Sequence, residues 1–112
     1  MIVRISTLDN KTPVIEVEPG DDSPVVAMLD KRGHGYAIFG ESVTIPMAVV
    51  DGRIREQSWV TEDHILAIEA HELGHIIEES SDEPTAERKG IELLESAGHV
   101  QSANLLKNRG II

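Results

Sequence analysis

From Thr61 to about Glu79 no proline interrupts the chain, and this span most constrains the fold. Thr61 is a good N-cap, and Glu62 and Asp63 follow where the helix dipole favours negative charge. At 100° per residue, Leu66, Ala70, Leu73 and Ile77 gather on one stripe, while His64, Ile68, His71 and His75 gather on the opposite one. Ser80-Ser81-Asp82 breaks the helix, and Pro84 suits the first turn of the next. Glu83 to Ala97 reads as a second helix, with Ile91, Leu94 and Ala97 apolar and Gly98 as its C′ residue. A short third helix follows over His99 to Asn108, stopped by Arg109-Gly110.

The first half has a different texture. Ile2–Ile5 and Val14–Glu18 alternate as strands do, the second ending at Pro19-Gly20. Val25 to Leu29 is too short to assign as helix or strand. Lys31 to Gly35 reads as a loop. Tyr36–Phe39, Ser42–Ile45 and Met47–Val50 are strand-like, and Asp51-Gly52 is the best hairpin turn, with Arg53–Val60 as the return strand. The expectation is an α+β fold: a small mixed or antiparallel sheet, then an active-site helix and a second, ligand-bearing helix. Residues 1–112 form a single domain, strand-rich over 1–60 and helical over 61–112.

Composition narrows the function. The 112 residues hold no cysteine, which excludes disulfides, thiolate metal sites and Cys nucleophiles. Any metal must therefore be held by His and carboxylate. Twenty acidic residues against ten basic ones repel phosphates, so nucleic acid and anionic membranes are not expected partners. No apolar run approaches a membrane span, and Met1 to Asn10 lacks a secretory signal, so a cytoplasmic setting is expected.

The chemistry concentrates at His71-Glu72-Leu73-Gly74-His75, an H-E-x-x-H placed on the long helix. Residues i and i+4 lie one turn apart on one face, so two imidazoles can converge on one ion. Neutral imidazole suits Zn²⁺, and Glu72, rotated about 100° from His71, can hold a metal-activated water as general base. A third ligand is needed. Glu83 and Glu87, at i and i+4 of the next helix, are the candidates, and His99 is an outside one. In a plain antiparallel helix pair, symmetry about Ser80–Asp82 favours Glu87 and leaves Glu83 as a cap.

Residues 61–94 resemble the gluzincin branch of the zincin metallopeptidases, which includes ImmA/IrrE-type and thermolysin-like members. There H-E-x-x-H is followed by a helix reading roughly E-x-x-[AS]-[DN]-x-x-[GA], which Glu83 to Gly90 matches with Glu87 in place of Asp or Asn. The resemblance implies Glu83 as third zinc ligand and Glu87 as the acid that orients a zinc-bound His. It also implies that Ala86 and Gly90 let the two helices approach closely. The linker from His75 to Glu83 is shorter than is usual in that branch. In zincins an upstream strand edges the cleft and pairs with extended substrate; Ser42–Ile45 or Met47–Val50 would supply it. Tyr36, His34, His64 and Arg88 are oxyanion candidates, and Trp59 reads as a packing residue. The implied function is zinc-dependent hydrolysis of a peptide or protein substrate. The alternative is a zincin-fold domain that binds metal or a partner without efficient proteolysis.

Overall fold

The computed structural model describes residues 1–108. Its elements run β1 (Ile2–Ile5), β2 (Pro13–Val17), α1 (Pro24–Arg32), β3 (Gly35–Ile38), β4 (Met47–Asp51), α2 (Glu62–Ile77), α3 (Glu83–Ser96) and α4 (Val100–Asn108). The fold is α+β, as expected. The expected Arg109-Gly110 stop lies outside the described residues.

The four strands form one mixed sheet in the order β1-β2-β4-β3. β1 is antiparallel to β2, β2 parallel to β4, and β3 antiparallel to β4. The two faces of the sheet are both covered. Val17, Tyr36 and Val49 pack with Val26 and Leu29 of α1 on one side. Val14, Ala48 and Val50 pack with Ile65, Ile68 and Leu73 of α2 on the other. Beyond α2 lie α3 and α4, where Ala67 and Ala70 meet Leu94, Ala103 and Leu106.

Three sequence expectations fail, each for a physical reason. Ser42–Ile45 is not a strand. Glu41 and Thr44 exchange both backbone hydrogen bonds at 3.1 Å, closing a tight exposed turn that has no layer to bury against. Asp51-Gly52 is not a hairpin turn, because β4 already has β2 on one edge and β3 on the other and no edge is free for a return strand. The Asp51 carboxylate instead accepts from the Arg53 N–H and caps a 3-10 turn over Gly52–Glu56, so Arg53–Val60 is not extended. The third failure concerns α2. Its predicted polar stripe carries Ile68 and His75, both buried, while Ile77 on the predicted apolar stripe is exposed. A helix held between a sheet and two other helices has no single apolar face.

The ambiguous Val25–Leu29 segment is helical. α1 starts with Pro24 in its first turn and runs through Lys31 and Arg32, part of the stretch expected to be loop.

An ionic cluster built on the buried carboxylates of Glu16 and Glu69 ties β1 and β2 to α2. Glu69, fully buried on α2, accepts from Ser6 Oγ at 2.6 Å and from Arg4 Nη2 at 2.5 Å. Arg4 also donates to Glu16 at 2.8 Å, and Arg55 donates to Glu16 and Glu62. Burial pushes the Glu16 carboxyl up, but hydrogen bonds from Arg4 and Arg55 and their charges more than offset it, leaving it below its ordinary value of 4.5. A carboxyl depressed in the folded state adds stability above its unfolded pKa and loses it as pH falls through the folded one. Chemical denaturation is therefore expected to show stability falling between about pH 5 and pH 3, with a shallower fall in Arg4→Met. At neutral pH Arg4→Met should cost about 3 kcal/mol, since it strands the buried Glu69 carboxylate.

Candidate metal centre

α2 is started by a reciprocal cap. The Thr61 N–H donates to His64 Nδ1 at 3.0 Å, and the His64 ring meets Trp59 edge-on at 5.5 Å between centroids. His64 is thereby committed to the helix start, away from the H-E-x-x-H segment, and Trp59, expected as a packing residue, is half exposed and belongs to none of the core clusters.

The other end of α2 carries the chemistry. The helix ends at Ile77, and Glu79 takes a left-handed φ of 49° that turns the chain sharply. The Ser80 N–H then donates to the His75 carbonyl at 3.1 Å. This early reversal brings Glu83, the first residue of α3, back beside the histidines. Its carboxylate spans both rings, with Oε2 2.7 Å from His71 Nε2 and Oε1 3.0 Å from His75 Nε2. Glu87 lies one turn further along α3, half-buried. Asp82, rather than Glu83, caps α3, accepting from the Thr85 N–H at 2.9 Å. The symmetric-hairpin argument for Glu87 thus fails on the turn geometry.

His75 has its tautomer chosen for it. Nδ1 lies 2.7 Å from the Ser80 carbonyl, which only accepts, so Nδ1 carries the proton and donates. The Nε2 lone pair then faces the Glu83 carboxylate, and two acceptors at 3.0 Å need a positive species between them. A proton on Nε2 satisfies that need, and so does a metal cation. Ligand atoms on a tetrahedral zinc sit about 3.3 Å apart, given bonds of about 2.0–2.1 Å. The Glu83 contacts need to open by only about half an ångström, and its side chain, 70% exposed, is free to do so. His71, Glu72 and His75 offer ligand atoms all within 4.8 Å of one another. Two imidazoles and one carboxylate suit zinc chemically.

Glu72 is buried beside this group, with Oε1 4.0 Å from His75 Nε2. Burial pushes its carboxyl up to about 7, against the pull of His75 and with the Glu83 charge adding to the rise. Its space depends on β3. A Cβ built at Gly35 would lie 2.7 Å from Ile68 Cγ2 and 3.2 Å from Glu72 Cγ. A cleft of about 470 Å³ opens here, lined on one side by β3 and Arg32 and on the other by Glu72, His75 and Glu83. The strand along the cleft is therefore β3. Ser42–Ile45 is a turn, and Met47–Val50 sits inside the sheet as β4.

The remaining candidates disperse. Of the four oxyanion residues only Tyr36 lines the cleft, and its hydroxyl reaches back toward the Val25 carbonyl at 3.5 Å. His34 precedes β3 with Nδ1 buried and unpartnered among the described residues. Arg88 donates to Thr85 on α3. His99 precedes α4 and is not among the residues that gather at His71.

Gly74 is a determinant that sequence reasoning passed over. A Cβ there would lie 2.1 Å from the Ala86 carbonyl oxygen, and one at Gly90 would lie 2.9 Å from the Ala70 carbonyl oxygen. The expected close approach at Ala86 and Gly90 is present, and Gly74 completes it. The available signal was the glycine inside an otherwise uninterrupted helix.

No family model, no curated protein and no solved structure matches this chain. No described helix is long and apolar enough to cross a membrane.

Gly74→Ala is expected to force α3 away from α2, costing about 3 kcal/mol in denaturant unfolding. It should also weaken zinc binding, because Glu83 moves with α3; calorimetric titration with zinc measures this.

Proposed function

We propose that this chain is a zinc-dependent metallopeptidase of zincin type. The observation that carries the reading is the convergence of His71 Nε2 and His75 Nε2 on one Glu83 carboxylate, with buried Glu72 alongside. His71, His75 and Glu83 would hold the ion. Zinc, when bound, supplies a Lewis acid and lowers the pKa of a coordinated water. Glu72 takes a proton from the attacking water on a carboxylate oxygen and returns it to the leaving amine.

The open side of β3 gives the substrate a place. The Asp51 N–H donates to the His34 carbonyl, and hydrogen-bonded pairs alternate along an antiparallel ladder. Gly35 and Ala37 therefore turn their N–H and C=O groups outward, where no described strand pairs with them. An extended peptide can add to that edge and bring a carbonyl carbon under Glu72. A peptide or protein substrate in a cytoplasmic setting belongs to the same proposal.

The test is metal content and peptide cleavage side by side. The zinc-loaded chain should cut a mixed peptide library. Glu72→Gln should keep its zinc and lose at least about 100-fold in rate. Glu83→Ala should lose zinc, and Glu87→Ala should retain more of it. Zinc bound with no cleavage by the unaltered chain would assign a metal-binding module instead. No bound zinc at all would end the reading.

A further inference from the structure

We propose that Arg32 selects substrates bearing a carboxylate, either the C-terminal carboxylate of a peptide or an Asp or Glu side chain. The proposal rests on the peptidase reading and names the substrate class for that same cleft.

The chain carries twenty acidic residues against ten basic ones, so a cation without an acidic partner is unexpected. Arg4, Arg53, Arg55, Lys89 and Lys107 all form ion pairs. Arg32 forms none among the described residues. Its Nε donates to Met28 Sδ at 3.1 Å, and both terminal nitrogens are left uncommitted among the described residues. Of the described arginines and lysines without an ion pair, only Arg32 lines the cleft that holds Glu72, His75 and Glu83.

The backbone explains how a residue from the far face reaches this place. α1 packs on the side of the sheet opposite α2. Arg32 is its last residue, and Gly33, at a φ of 113°, turns the chain into β3 at Gly35. Gly35 is also the position that abuts Glu72. The start of β3 thus has the Glu72 carboxyl on one face and the Arg32 guanidinium at the other. Side chains of an added strand alternate between the two faces. A substrate residue pointing toward α1 meets Arg32 when its neighbour points toward Glu72. A guanidinium matches a carboxylate through two parallel hydrogen bonds.

The test uses the full chain loaded with zinc and three peptides of one sequence: C-terminal free acid, C-terminal amide, and amide with one internal Glu replacing Gln. Binding is measured on the Glu72→Gln background by fluorescence anisotropy, and cleavage on the Glu72 form. A carboxylate peptide should bind about tenfold more tightly than the plain amide, as expected for a charge-assisted pair. Arg32→Gln should erase that ratio, whereas Lys31→Gln, which removes the same charge outside the cleft, should keep it. Preference for the free acid alone names the C-terminal carboxylate; preference for the internal Glu names a side chain. Peptides cut without discrimination, or a carboxylate preference untouched in Arg32→Gln while cleavage persists, would overturn the Arg32 proposal and leave the peptidase reading standing; peptides bound but never cut would overturn the peptidase reading. No peptide bound or cut would overturn both.

Discussion

The contact on which this structure depends is backbone against backbone. Gly74 lies on Ala86 and Gly90 on Ala70, with no room for a Cβ at either glycine. Two helices at that separation share a fixed register, because a slip by one residue brings a side chain into the partner's carbonyl. Glu83 opens α3 immediately before this contact, and His71 and His75 flank Gly74 on α2. The register of the helix pair is therefore what delivers the carboxylate to the imidazoles. The turn at Glu79 and Ser80 closes the pair and orients His75 through the same few atoms.

The sheet supplies the second constraint. α2 buries Ile65, Ile68 and Leu73 against Val14, Ala48 and Val50, while its other side buries Ala67 and Ala70. Small residues face the helices and larger ones face the sheet, as the two interlayer gaps require. Such a helix cannot rotate, so Glu72 keeps one position against Gly35. Glu69 adds a polar lock: its carboxylate is buried but bonded by Ser6 and Arg4, so the first strand and the residue after it hold the middle of α2 by charge and hydrogen bonding.

Much of the helical half was legible because its signals are local. Thr61, Pro84 and Gly98 mark ends through backbone chemistry that operates within a turn. The H-E-x-x-H spacing is likewise a one-turn statement. The strand half was read less well because its outcome is decided at long range. Asp51-Gly52 reads equally as a hairpin turn and as a helical cap, and the choice fell to β2 and β3 occupying both edges of β4. Which strand borders the cleft depends on sheet order, which no local pattern encodes. Glu69 escaped notice for the same reason, since its partners lie more than sixty residues away in the chain. Spacing alone could not say which of Glu83 and Glu87 lies beside the histidines, because that placement turned on a single left-handed residue, Glu79, in the link between the helices.

The donor set is unequal in rigidity. His75 is clamped by Ser80 and buried, whereas the Glu83 side chain projects largely into solvent. A cation captured here would find two arms already in place and a third that swings. Such a site would admit and release its guest through one rotating gatepost rather than by opening the protein. Chelators would have a direct approach from the same side, so occupancy would follow the free zinc concentration of the surroundings instead of being locked in at folding.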